Sequence, residues 1–331
     1  AHRQQFFSTI IESENHFRNV SLSTKSPDSN EFVKTLKSEF SIDYDSESND
    51  YAFDFYFVPN KYSLLKSYDK GFESLVPLGK FVFGWVNKFL VIPMFNFLEK
   101  SGLNYGVIIL IIAIVIKMLL FLPTKSSYIS MAKMRVLKPE IDALNDKFKD
   151  PLQKQQAQMN LYRKTGVNPL GGCLPLLFQM PILIALFRFF PASIELRQQP
   201  FLWADDLSTY DSILDFGFSI PLYGDHISLF ALLMTFATVL QMMYSNQISS
   251  SAQMPQMKYV MYMMPIIFLL VMNNYSAALS YYYFLANIIT FLQQLIIRRS
   301  IDDEQLYAVL QENKKKPVKK SKFQQKLEEM A

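Results

Sequence analysis

The sequence predicts a membrane all-α protein: a five-helix transmembrane core with a cytoplasmic helical hairpin and an interfacial helix, preceded by part of a β-sandwich domain. Three observations predict it. The 331 residues are 50% hydrophobic and 15% aromatic, which is high for a soluble chain. The apolar residues cluster after residue 72, whereas residues 1–70 are polar and mixed. The charged residues divide unevenly between successive loops, as they do in membrane proteins.

Residues 1–70 hold QQFFSTII, HFRNVSLST, FVKTLKSEFSIDY and YAFDFYFVP, short runs rich in aromatic and β-branched residues. In the last run Tyr51, Phe53, Phe55 and Phe57 share one face and Ala52, Asp54 and Tyr56 the other, the period of a half-buried strand. Polar clusters such as KSPDSN and DSESND separate the runs as turns. An antiparallel sheet, the C-terminal part of a sandwich, is the expectation. The chain opens on AHRQQFF, without Met or a signal-like region, from which a missing upstream piece is inferred.

Residues 71–100 are aromatic and apolar but carry Lys80, Asn87 and Lys88, with Pro77 and Pro93 interrupting the pattern. The mixture suits an interfacial amphipathic helix with Trp85 dipping into lipid, and a true span is the rival. Residues 101–300 then supply five candidate spans: Tyr105 to Leu122, Leu170 to Phe190, Ile227 to Tyr244, Tyr259 to Asn273 and Ala277 to Ile297. Each approaches the length that a hydrocarbon core of about 30 Å requires, the fourth being short.

The connection from Thr124 to Thr165 has nine basic residues against four acidic ones, which places it in the cytoplasm. The connection from Pro191 to His226 has Arg197 alone against Glu195, Asp205, Asp206, Asp211, Asp215 and Asp225, which places it outside. The sheet domain is then outside and the basic tail, residues 301–331 with its KKKPVKKSK run, inside. Within 124–165, Met131, Met134, Leu137, Ile141, Leu144 and Phe148 recur at helical spacing, and Asp150-Pro151 separates this helix from LQKQQAQMNLYRK. Two antiparallel helices are expected, and their basic residues Lys133, Arg135 and Lys138 are candidate partner contacts.

Catalytic chemistry has little support. His2, His16 and His226 all lie outside the spans, no GxxxxGKS/T loop is present, and the one cysteine, Cys173, sits among glycines and leucines as a small packing residue. A non-enzyme without small-molecule cofactor is the expectation. Lys117 is the informative residue, because a Lys at the centre of a membrane helix costs about 2.5 to 3.5 kcal/mol unless it meets a partner or water. Snorkelling is the alternative, since Leu122 lies about 8 Å further along the helix. Tyr283, Asn287, Thr290 and Gln294 follow i, i+4, i+7, i+11 on one helix face and, with Gln179, Thr235, Thr238 and Gln241, are able to line a groove with Lys117. Interhelical hydrogen bonding within a bundle explains the same stripe. Methionines crowd residues 234–272, suiting a surface that accepts varied apolar partners. Pro175, Pro181 and Pro265 suggest kinked helices.

The stretches KMLLFLPTKSSYISMAKMRVLKPEI, LYRKTGVNPLGGCLPLLFQMPILIALF, MPQMKYVMYMMPIIF and YYYFLANIITFLQQ resemble the YidC/Oxa membrane-protein insertases, in their bacterial YidC branch. The likeness runs from about residue 72 to 300, and residues 1–70 more weakly resemble the end of that family's periplasmic β-sandwich. It implies an inner-membrane insertase and chaperone whose five-helix core holds a cation in a hydrophilic groove, open to cytoplasm and lipid. Lys117 stands where bacterial members usually carry arginine, keeping the charge without the bidentate geometry. Ala113 stands where some members have a polar residue. Tyr283 matches a tyrosine near client helices and Gln179 a groove-lining glutamine. Implied partners are nascent membrane-protein clients, the Sec translocon, membrane lipid, and ribosomes or targeting factors met by hairpin and tail. A secondary transporter using Lys117 for an anionic solute or proton coupling is the rival from another class, although no repeated halves or paired intramembrane carboxylates are evident. A purely structural subunit is the third reading.

Overall fold

The computed structural model describes residues 1–14, 16–26, 34–43, 51–249 and 255–315. The side chain of Cys173, residues 27–33 and 44–50 with most of the two turn clusters, and the tail beyond Lys315 lie outside the described residues. Two small antiparallel sheets come first. Strands β1 (His2–Arg3), β2 (Phe7–Ser13), and β5 (Phe53–Pro59) form one in the order β1-β2-β5, and β3 (Phe17–Lys25) pairs with β4 (Thr35–Ile42) in the other. The rings of Phe17, Phe40 and Phe53 meet between them, at centroid separations of 4.5 to 6.4 Å.

The alternation in β5 is present, but the buried face is the one that bears Tyr56 and Val58. Phe55 and Phe57 point outward. The reason is local: the Tyr56 ring meets Tyr68 and Phe72 edge-on, and its hydroxyl joins Glu12 and Lys70. Aromatic identity alone does not choose a face; the partner across it does.

After α1 (Tyr62–Ser67), α2 (Phe81–Val86), a π-helical turn (Asn87–Val91) and α3 (Ile92–Glu99) join into one apolar helix, Phe81–Glu99. Asn87 is buried in it and donates to the carbonyls of Leu78 and Ala185, at 2.8 and 2.9 Å. At its end Glu99 receives Lys61 Nζ at 2.9 Å, tying this helix to the residue that follows β5 and Asn60. Of the described helices this one is long and apolar enough to cross a membrane.

Helix α4 (Tyr105–Leu119) stops short of the expected Leu122 and meets α5 (Phe121–Val136) at a bend of 58°. Pro123 explains the break, because its ring crowds the carbonyl of Leu119 four residues earlier and supplies no N–H. If the bent pair is one span, it is a second membrane-crossing unit. Helices α8 (Leu174–Ala192), α9 (Leu229–Ser249), α10 (Pro255–Met272) and α11 (Ala277–Arg299) correspond to the other four expected spans, with apolar stretches Leu177–Ala192, Leu229–Ser245 and Tyr262–Met272 in the first three. Pro181, Pro191 and Pro265 all lie inside helices.

The first arm of the expected hairpin is split. Helix α5 ends at Val136 and α6 (Lys138–Lys147) begins with Pro139 in its first turn, the position proline tolerates best. Helix α7 (Pro151–Thr165) is capped by Asp150, whose carboxylate accepts from Gln153 N at 3.3 Å, and closed by Gly166 at φ 72°. Met134, Leu137, Ile141, Leu161, Tyr162 and Val167 bury a separate small core there.

That core also takes in Leu310 of α12 (Asp303–Lys315), so the start of the tail is a docked helix. Arg135 holds Asp303 at 2.5 Å, and Glu140 receives Lys314 at 2.8 Å, Tyr307 at 3.1 Å and Gln311. Burial pushes the Glu140 carboxyl up, but these hydrogen bonds and the Lys314 charge outweigh it and hold the carboxyl below its ordinary 4.5. The unfolded state therefore binds a proton more readily than the docked one. The contribution of Glu140 is complete above pH 4.5 and is lost as the pH falls below it. Hydrogen exchange is expected to show α12 protected at neutral pH, deprotected progressively below pH 4.5, and less protected throughout in Glu140→Ala.

Candidate functional site

Lys117 lies on the last turn of α4 and is 4% exposed. Its Nζ donates to Gln179 Oε1 of α8 at 3.0 Å. Among the described residues no carboxylate comes within ion-pair distance of it. The side chain thus turns inward toward α8. Among the described residues a neutral amide oxygen is its one side-chain partner, a weak counterpart for an ammonium that has three protons to donate.

Helix α11 packs mainly against α9 and then α4, and it closes the cluster from the other side. Gln293 donates to the backbone carbonyl of Lys117 at 3.1 Å. Gln294 donates to the Tyr128 hydroxyl of α5 and to Ser245 Oγ of α9, the latter at 3.0 Å. Asn287 donates to Thr238 Oγ1 of α9 at 2.7 Å, and Thr238 passes the bond on to the Met234 carbonyl. Thr290 returns its hydroxyl to the Ala286 carbonyl within its own helix. Tyr283 is buried edge-on against Phe268 and Tyr282, and its hydroxyl has no hydrogen-bond partner among the described residues.

The predicted residues therefore sort into two levels. Lys117, Gln179 and Gln294 belong to a polar cluster where α4, α5, α8, α9 and α11 converge. Tyr283 lies 11 residues before Gln294, about 16 Å higher on the helix axis, with Asn287 and Thr290 between. Gln293, Tyr128 and Ser245 were not singled out by the sequence. Gln293 falls off the i, i+4 stripe, but the Pro123 bend gave a signal: backbone carbonyls freed at a break inside an apolar environment need side-chain donors.

The basic residues of the hairpin are differently placed. Arg135 is engaged by Asp303 of α12, Lys133 is half-buried and Lys138 exposed. Of the methionines, Met234 and Met272 are buried in the core, while Met243, Met263 and Met264 are exposed. Met254 and the side chains of Met257 and Met261 lie outside the described residues.

The outer connection is a built structure. Asp211, 2% exposed, accepts from Trp203 Nε1 at 2.8 Å, Ser228 Oγ at 2.5 Å and Phe230 N at 3.0 Å. Ser228 Oγ in turn accepts from Ala231 N, so the two side chains cap the start of α9 together. His226 stacks on Tyr210 at 3.7 Å and bonds the Asn273 carbonyl. Among the described residues no group of three or more His, Cys, Asp or Glu is arranged to hold a metal ion. The arrangement offers a buried cation and amides able to exchange their partners for polar groups of a guest, and no nucleophile paired with a base.

Comparison with known proteins gives the same direction. A membrane protein insertase YidC of Parabacteroides distasonis is 45% identical over 99% of this chain, which spans 55% of that relative. Another, from Amoebophilus asiaticus, is 52% identical over 66% of this chain and 36% of its own length. The chain thus spans about half the length of such relatives, or less. A solved active YidC insertase with its first transmembrane domain resolved is similar with a TM-score of 0.49 and 23% identity, over 81% of this chain and 59% of that one. The model of the 60Kd inner membrane protein family matches residues 97–304, a stretch that takes in α4 to α11 and the whole Lys117 cluster. The chain accordingly belongs to that inner-membrane family, the YidC/Oxa insertases.

Proposed function

We propose that this chain is a membrane-protein insertase and chaperone of the inner membrane that works without nucleotide hydrolysis. The observation that carries the reading is Lys117, a buried ammonium with an amide for its partner, at the convergence of five helices. In this reading α4 with the start of α5, α8, α9, α10 and α11 are the five membrane helices, residues 1–70 lie in the periplasm, and hairpin and tail lie in the cytoplasm. Lys117 and Gln294 then sit toward the cytoplasmic ends of their helices, where water and a client's leading segment arrive.

A client's short hydrophilic segment displaces Gln179 from Lys117 and is held by the ammonium and by Gln294, Asn287 and Thr290. Its apolar segment slides past Tyr283 and the exposed methionines into lipid. A hydrated groove lowers the cost of the polar segment, which never enters bare hydrocarbon. Burial of the client's span supplies the driving force. Lys133 and Lys138 are the contacts for ribosomes or targeting factors, and the Sec translocon is the partner for larger clients.

Reconstitution tests this reading. Vesicles holding the purified protein, free of nucleotide and of other proteins, are expected to insert a short single-span client so that its outer tail becomes protease-protected. Protection no greater than in protein-free vesicles overturns it.

A further inference from the structure

Between α8 and α9 the chain forms a two-stranded hairpin, β6 (Leu214–Ile220) paired with β7 (Gly224–Ile227). Both faces of β6 are open: Asp215, Gly217 and Ser219 are exposed, and so are Leu214, Phe218 and Ile220, with Phe216 half-buried. Asp215 pairs across the strands with His226, which is buried inward against Tyr210 and the Asn273 carbonyl. Leu214, Phe216, Phe218 and Ile220 alternate with Asp215, Gly217 and Ser219, and Phe216 stacks on Phe218 at 5.8 Å. Leu214 and Ile220 are exposed, and Phe218 is 63% exposed. A hairpin that stays in water covers such an apolar row, and here the row is left open.

The turn sharpens the point. Leu222 takes φ 71°, a conformation that costs a branched side chain energy and that glycine or asparagine normally fills, and it is 85% exposed. The neighbouring Tyr223 carbonyl is clamped by Asn273 Nδ2 at 2.9 Å and Asn274 Nδ2 at 2.6 Å, both in the short connection between α10 and α11. Within the two turns before that clamp, α10 exposes Val271, Ile267 and Ile266.

We propose that the β6–β7 hairpin is a lipid-inserting wedge, its Phe218 and Leu222 side chains dipping into the outer leaflet beside α10. Lipid is the occupant because the clamp fixes the turn at the boundary end of two apolar helices, next to a residue row of the same exposed, apolar kind. The hairpin bears no Lys or Arg, only Asp215 and Asp225, so the attraction is hydrophobic and independent of anionic headgroups. Insertion of this kind holds the outer loop against the bilayer while the cytoplasmic side exchanges clients. The inference rests on the membrane placement of α10 and α11 proposed above.

The test uses the full chain in phosphatidylcholine vesicles, with Cys173→Ser and one environment-sensitive probe on Leu222→Cys, Phe218→Cys, Ser219→Cys or Ile266→Cys. A quencher carried high on the lipid chain is expected to remove most emission at positions 222, 218 and 266 and little at 219, with aqueous iodide giving the reverse. Loss to iodide at 222 and 218 alike, with 266 reached from lipid, overturns the wedge while leaving the helix placement intact. Protection of 222 and 218 from both quenchers also overturns it, assigning the face to a protein surface. Failure of lipid quenching at 266 overturns the placement of α10 itself.

Discussion

Replacing Lys117 with Ala is expected to reduce insertion of a client with an acidic outer tail about tenfold or more, while a matched neutral tail changes less than about twofold. The magnitude follows from the setting. Two unit charges 4 Å apart attract by about 4 kcal/mol at an effective dielectric of 20, and a third of that is already tenfold. The resting partner is the neutral Gln179 oxygen, so an incoming carboxylate gains more than the displaced amide loses. Lys117→Arg is expected to restore insertion, since the charge is kept, and Lys117→Glu to shift preference toward basic tails. Proteoliposome insertion with paired clients reads all three.

Asp211→Ala is expected to give the largest loss of stability of any outer-loop substitution, about 2 to 4 kcal/mol, read as a lowered unfolding temperature in detergent. One carboxylate there satisfies the Trp203 indole, the Ser228 hydroxyl and the first turn of α9. Its removal strands three buried or half-buried donors. Asp211→Asn retains one acceptor oxygen and is expected to lose roughly half as much. Insertion activity per folded molecule is expected to stay unchanged, because Asp211 bonds to Trp203, Ser228 and the start of α9 and to no residue of the Lys117 cluster.

How far the sequence speaks depends on which force decides a position. The starts of α4 and α11 were legible to the residue, because Asn104 and Ser276 immediately precede largely apolar runs. The end of α4 was not, since the proline that breaks it sits at 123 and acts four residues upstream. The same blindness to action at a distance split the hairpin arm at Pro139. In β5 the period was right and the buried face was settled by Tyr68, Phe72 and Glu12, which periodicity does not weigh.

The site was legible in part for a similar reason. Lys117 stands out in any apolar run, and the stripe on α11 follows from helical geometry. What the stripe touches required three dimensions: Asn287 and Gln294 bond to α9 and α5, so they act as interhelical contacts. Counting charges treated Asp211 as one carboxylate among six acidic residues, although it is buried and capping a helix. The docking of α12 was likewise hidden inside a basic tail. Its signal was there in the acidic first turn at Asp303 and Glu304, the basic last turn at Lys314 and Lys315, and Tyr307 three residues before Leu310.

The most direct test of the central claim is site-specific photo-cross-linking from position 179, which leaves Lys117 itself intact. With a photoreactive residue in place of Gln179 and a stalled client carrying an acidic outer tail, the account predicts adducts to the tail residues in wild type and their loss in Lys117→Ala. Adducts confined to the client's apolar segment, or tail adducts equally strong without Lys117, would contradict it.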